Sequence, residues 1–307
     1  MDIRTLELDV DGQWFGRGVS YGAYREGQAP HGQLPTREQL TEDLEIVAKH
    51  WNAIRMYGAR EVSENVLQII HEKKLPIRVM LGAWIARETP SDALPAADAA
   101  AVKAANVAET SELIRLANAY PDEVMAVSVG NETQVFWSAH KTEMDVLIGY
   151  LRAVRGATSV PVTTADDFKF WNTPESQRVA NEVDFIVTHL HAMWLGQSTS
   201  TALPWTKENY AAVRQQHPSK LVVIGEAGWA TQVHTAGEQA ELIKGKAGEE
   251  EQASYYRQFT EWAQAEKIPT FYFEAFDEPW KGGPHPNEVE KHWGVFFVDR
   301  SPKAAMQ

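Results

Sequence analysis

Eight short runs rich in Val, Ile and other apolar residues, each followed by a helix-length segment, constrain this chain more than any other feature. They read as strands at 15–22 (FGRGVSYG), 52–58 (NAIRMYG), 76–84 (PIRVMLGAW) and 124–131 (VMAVSVGN). The later four are 160–167 (VPVTTADD), 184–192 (DFIVTHLHA), 221–229 (LVVIGEAGW) and 270–277 (TFYFEAFD). Nearly continuous apolar strands, too short for helices and spaced by them, are the pattern of a parallel sheet covered on its outer face. Eight such repeats in 307 residues match the size and order of a (β/α)8 TIM barrel of the α/β class. There is no shorter repeat, low-complexity tract or linker, so one domain over 1–307 is expected.

The segments between the runs agree. Residues 36–51 place Leu40, Leu44, Val47 and Ala48 at helical spacing, with Thr36 and Gln39 positioned as a capping box. Residues 100–120 are Ala-rich and carry Leu113, Leu116 and Ala117 on one face. Residues 252–266 form a further helix before the final strand. An open doubly wound sheet is the structural alternative, but GVSYGAYREG after the first strand lacks the G-x-G-x-x-G phosphate turn of that fold.

Composition narrows the partners. A formal charge of −13 argues against nucleic acid, anionic membranes and polyanionic substrates. No stretch approaches the ~18 apolar residues of a membrane span, so no membrane insertion is expected. The absence of Cys removes disulfides, thiol nucleophiles and cysteine metal sites. MDIRTLELDVDG lacks the charged start and apolar middle of a secretory signal. An extracellular or periplasmic protein with its signal removed is favoured, with a cytoplasmic one as the alternative. A monomer is expected.

In a barrel the catalytic groups stand at the C-terminal ends of strands. Those ends carry Tyr21, Arg55, Tyr57, Trp84, Asn131, Glu132, Asp166, Asp167, His189, His191, Glu226, Trp229, Asp277 and Glu278. A structural barrel has no need of so many polar and aromatic groups at one rim. Glu132 ends the fourth strand and Glu226 the seventh; barrel closure brings them across one cavity. Each has a Gly one or two residues before it and a Trp a few residues after. Paired carboxylates suit glycoside hydrolysis, in which one protonates the leaving oxygen while the other attacks or activates water. At ~5.3 Å and an effective dielectric of ~20, two full charges repel by about 3 kcal/mol, enough to keep one protonated near neutrality. The 11 Trp add flat surfaces on which pyranose rings can stack.

VSVGNE, VVIGEAGWAT, FEAFDEPWK and EKHWGVFFVDRSPK, with GVSYGAYREGQAP and IRMYGAR, resemble glycoside hydrolase family 17 along nearly the whole chain. The likeness is strongest to its compact bacterial branch of β-1,3-glucanases and β-glucan glucanosyltransferases. The resemblance implies a retaining mechanism on a (β/α)8 barrel. Glu132 is then the acid/base, Glu226 the nucleophile, and Asn131 a partner of the sugar 2-hydroxyl. Glu278 and Lys281 match an auxiliary carboxylate and lysine, and Tyr21, Arg55 and Tyr57 match positions lining the cleavage subsite. Trp137, Trp194, Trp229 and Trp280 are the expected sugar platforms, whereas Trp84, Trp171 and Trp293 serve packing equally well. The chain departs from the family at THLHAMW, where His191 and Ala192 stand in place of a Tyr-Pro pair.

His189 and His191 form an H-x-H pair that could suggest a metal hydrolase, but metal-dependent amidohydrolase barrels place such a pair on the first strand, which here reads VSY. The two histidines therefore read as sugar-contacting or buried groups. No metal or cofactor is called for, since the two carboxylates complete the reaction. Asp166 and Asp167 read as a subsite wall. A noncatalytic glucan-binding protein would be expected to have lost one of the two glutamates. The expected activity is endo hydrolysis of laminarin-type β-1,3-glucan, as polysaccharide or oligosaccharide, with glucanosyl transfer by the same residues as the alternative.

Overall fold

The computed structural model describes every residue except Met1, Asp11 and Asp92; the first two lie in the N-terminal stretch read above for a signal. Eight parallel strands close a barrel: β1 (Arg17–Ser20), β2 (Ala53–Arg55), β3 (Arg78–Ala83), β4 (Val124–Asn131), β5 (Val162–Asp167), β6 (Ile186–His189), β7 (Val222–Ala227) and β8 (Thr270–Tyr272). Each strand pairs with the next, and β8 pairs with β1 in the register Arg17↔Thr270. All eight predicted runs are strands; seven are trimmed at their ends and the fourth keeps its full length, 124–131. The large helices Arg37–His50, Ser63–Lys73, Ala96–Ala119, Met144–Ala157, Thr199–Gln216 and Glu249–Ala265 accompany them. Thr36 caps the first through the reciprocal bonds of a capping box with Gln39. Among the described residues no helix is long and apolar enough to cross a membrane.

Side-chain alternation divides the core in two. Ile54, Val79, Leu81, Val127, Ile186, Val222 and Ile224 point outward into the layer between sheet and helices. Ala53, Met80, Ala126, Ala165, Val187, Val223 and Phe271 point inward and fill the lower half of the barrel. The bottom is closed by an element the sequence reading did not include, a small hairpin of Asp9–Val10 and Gln13–Trp14. It lays Leu6, Leu8, Val10 and Phe15 against the inner core. The upper half of the barrel holds the polar groups.

Two strands are irregular near their upper ends. Between β4 and β5 the register advances three residues on β4, from Ser128 to Asn131, against two on β5, from Thr163 to Ala165. Likewise β7 gains a residue relative to both neighbours: Ile224 to Glu226 against Thr188 to His189, and Ile224 to Ala227 against Thr270 to Tyr272. Bulges of this kind re-aim a side chain that strict alternation would send elsewhere. These are the strands that carry Asn131, Glu132 and Glu226.

Candidate active site

At the tip of β4 the chain turns sharply. Gly130 has φ of 81° and Glu132 has φ of 51°. A Cβ on Gly130 would lie 2.9 Å from the Thr133 methyl, so the turn needs glycine there on grounds of both space and conformation. Glu132 holds a left-handed conformation without that freedom, the kind of local strain that a rigid surrounding structure must hold in place. Buried Asp166 does so from the end of β5, accepting bonds from the backbone N–H groups of Gln134, Val135 and Asp167. His140 holds the other side, donating from Nε2 to the Asn131 carbonyl at 2.7 Å.

The carboxylates of Glu132 and Glu226 meet around His189, which is wholly buried at the end of β6. One donor atom from each of the three residues lies within 4.8 Å of the others. His189 Nδ1 is 2.8 Å from Glu132 Oε1, and its Nε2 faces Glu226 Oε1 at 3.4 Å. On Glu226, Oε1 accepts from Arg55 Nη1 at 2.6 Å and from the Tyr57 hydroxyl at 2.9 Å. Its Oε2 pairs with His191 Nε2 at 2.9 Å. The other terminal nitrogen of Arg55 donates to Asn131 Oδ1, so one guanidinium ties the tips of β4 and β7 together. That guanidinium already supplies positive charge to Glu226. This chemistry fits a polarised carboxylate pair better than a metal centre.

The electrostatics separate the two carboxyls. Burial, and then repulsion from Glu226, push Glu132 up to about 8. Burial would raise Glu226 as well, but the N–H donors that His189, Arg55 and His191 turn toward it outweigh burial and hold the group well below the usual carboxylate range. His189 itself is pushed down to about 3, chiefly by burial, so the permanent cation beside Glu226 is Arg55, while His191 is hydrogen-bonded to the other carboxylate oxygen. Near neutral pH the site therefore contains one protonated and one ionised carboxyl.

A second charged group stands at the end of β8. Lys281 Nζ lies 2.5 Å from Glu278 and 2.6 Å from Glu274. Burial raises the Glu274 carboxyl, while Lys281 overcomes burial to hold Glu278 low. Trp280 Nε1 donates to Glu278 Oε1 at 2.9 Å. Glu274 was not among the expected residues; its position inside an apolar strand run hid it.

The structure brings Arg55, Tyr57, Asn131, Glu132, His189, His191 and Glu226 together, with Glu278, Trp280 and Lys281 at the end of β8. Two expected residues are placed elsewhere. Tyr21 follows Ser20, whose hydroxyl points into the barrel, so alternation turns Tyr21 outward; its hydroxyl donates to Asp43 at 3.2 Å. Trp229 is fully buried against Tyr255, with Nε1 donating to the Lys246 carbonyl. Both serve packing. Trp194 is half-buried, while Trp137 (49% exposed) and Trp280 (40%) leave open faces. Phe136 (72%) and Trp84 (40%), the latter tilted against His140, add two more on the loops after β3 and β4. Asp166 and Asp167, read as a subsite wall, are instead buried braces, Asp167 capping a short helix through the Lys169 N–H.

Comparison with known proteins accords with this geometry. A family model described as the BtgE/BtgC glycoside hydrolase domain matches residues 18–294. A glucan 1,3-beta-glucosidase of Arthroderma benhamiae is 26% identical over 298 residues, covering 93% of this chain and 88% of that protein. The crystal structure of an endo-laminarinase from Formosa superposes with a TM-score of 0.78 at 26% identity, covering 94% of this chain and 85% of that one. A glycoside hydrolase family 17 beta-1,3-glucanosyltransferase from Rhizomucor miehei gives 0.74 at 25% identity, covering 95% and 96%. With the matched region running from the first strand to beyond the last, this chain belongs to the BtgE/BtgC glycoside hydrolases, of the family 17 type.

Proposed function

We propose that this protein hydrolyses laminarin-type β-1,3-glucan with retention of anomeric configuration, through a covalent glucosyl-enzyme. The observation that carries the mechanism is the carboxylate spacing. Oxygens of Glu132 and Glu226 approach within 4.8 Å, whereas an inverting enzyme keeps its carboxyls roughly 6.5–9.5 Å apart to admit water between them. The substrate class is supported by the names of the relatives and solved structures just described.

In the first step Glu226, ionised and gripped by Arg55, Tyr57 and His191, attacks the anomeric carbon. Glu132 passes its proton to the departing glycosidic oxygen. The negative charge thus moves from Glu226 to Glu132, and the carboxyl that had been held protonated by its neighbour's charge loses that repulsion. In the second step Glu132 takes a proton from water, the resulting nucleophile displaces Glu226, and the starting charges return. Asn131, fixed by Arg55, is the group for the sugar 2-hydroxyl. All of these residues come from one chain and one barrel. Attack within a glucan chain is supported by the open aromatic faces of Trp84, Phe136, Trp137 and Trp280, which allow sugar rings on more than one side of the cleavage point.

A second reading, glucanosyl transfer, is supported by the likeness to the Rhizomucor enzyme and by Phe136 and Trp137 beside the acid/base. An acceptor held there would compete with ~55 M water only through orientation. Incubation with linear laminari-oligosaccharides, following product length and anomer over time, decides between them. Shorter β-anomers alone are expected, whereas products longer than the substrate would establish transfer. Glu226→Ala should abolish turnover with the fold retained, and substantial residual glucanase activity would sink its role as nucleophile. Glu132→Gln should stall glucan cleavage while sparing the first step on activated aryl glucosides; equal losses on both would argue against an acid/base.

A further inference from the structure

The two oxygens of Glu226 are held differently. Oε1 has Arg55 and Tyr57; the described partner of Oε2 is His191. The His191 ring is fixed edge-on between Phe273 (5.2 Å, 85°) and Trp293 (5.4 Å, 63°), and its Nδ1 is buried with no hydrogen-bond partner among the described residues. A slot between two aromatic rings thus presents one imidazole N–H to one carboxylate oxygen. His191 also occupies the position where this chain departs from its family's tyrosine, so a titratable ring stands where a neutral phenol would be.

The groups facing this ring come from several elements. Glu226 faces it from β7, Glu132 from the tip of β4, Asp167 from β5 and Glu290 from the 3-10 turn Val289–Lys291. The cationic side is Arg55 of β2, with neutral His189 on β6 at 6.3 Å between ring centroids. Burial disfavours the imidazolium, but the hydrogen bond and charge of Glu226 outweigh it and raise the ring above its ordinary value.

We propose that His191 is a charged positioning residue, an imidazolium that holds Oε2 of Glu226 through both steps and, with Arg55, sets the acidic limit of activity. This rests on Glu226 as nucleophile. The imidazolium keeps Glu226 ionised before attack. When the glucosyl ester breaks, the bonding electrons return to a carboxylate already facing a cation, which makes Glu226 a better leaving group. His191 keeps its own proton throughout: the proton lost by Glu132 goes to the glycosidic oxygen, and water restores it.

The test uses His191→Tyr and His191→Gln. Removing an opposite charge in direct contact should move the acidic limb of kcat/KM up by about one pH unit in both variants. Where ester breakdown limits an activated aryl glucoside, kcat should fall about tenfold. In the wild-type protein labelled with 15N-histidine, the ring identified by its proximity to Phe273 and Trp293 should carry protons on both nitrogens at pH 7. A singly protonated ring, or an acidic limb unmoved in a folded variant, overturns the proposal. The nitrogen spectrum needs neither a variant nor turnover, so it decides the charge of His191 even where the glucanase reading fails.

Discussion

Glu132 carries a measurable consequence in its environment. Its carboxyl is raised to about 8 by burial and the charge of Glu226, so the basic limb of kcat/KM should fall near pH 8 and vanish in Glu132→Gln assayed on activated aryl glucosides. The same shift bears on stability. A carboxyl whose folded value lies above its unfolded value of 4.5 stays protonated in the native state while the unfolded chain releases the proton. Its contribution is therefore fully present below about pH 4.5 and is lost as pH rises toward 8. Urea unfolding of wild type and Glu132→Gln at pH 5 and pH 8 should show the variant gaining relative stability at the higher pH; a difference independent of pH would contradict the raised carboxyl.

The elements explain what the sequence could and could not reveal. Eight strands were legible because Val and Ile runs need burial on both faces, and the Thr36–Gln39 cap because its two partners are local. Barrel closure places the strand ends of Glu132 and Glu226 across one cavity, and the bulges in β4 and β7 set the direction of their side chains. Tyr21 and Trp229 were misplaced because a strand-end position does not tell inward from outward, and one residue of slip reverses every side chain. The bulges in β4 and β7 supply such slips, with Gly130 and Gly225 as their only local trace. The hairpin strands are too short to show a period, and Glu274 sat inside an apolar run. Gly130→Ala tests the turn on β4. It forces a side chain into φ of 81° and against Thr133, which should destabilise the fold by about 1–2 kcal/mol. Activity should fall further than stability because Glu132 and Asn131 lie on the displaced backbone. Denaturant unfolding alongside kcat/KM separates the two losses.

At the scale of the molecule, the catalytic end and the sealed end lie at opposite mouths of the barrel. Phe15 closes the bottom against Met80, Met125 and Phe271, with the Arg78 guanidinium 5.1 Å from its ring. Phe15→Ala should cost about 3 kcal/mol in unfolding free energy while kcat per folded molecule stays within about twofold of wild type. A large loss of kcat at full foldedness would show that the two ends communicate. A second long-range tie, Asp43 held by Arg25 and twice by Arg300, joins the first helix to the far end of the chain. Its partners are 257 residues apart.

The pairing of β1 with β8 has a further meaning in time. Arg17 cannot find Thr270 until the ribosome has made the intervening chain, which at about 5–20 residues per second takes roughly 12–50 s. Throughout that interval β1 has one unpaired edge, and the apolar hairpin has no completed barrel to seal. The barrel is thus completed by a contact that is late by construction, and closure must follow synthesis of the last strand.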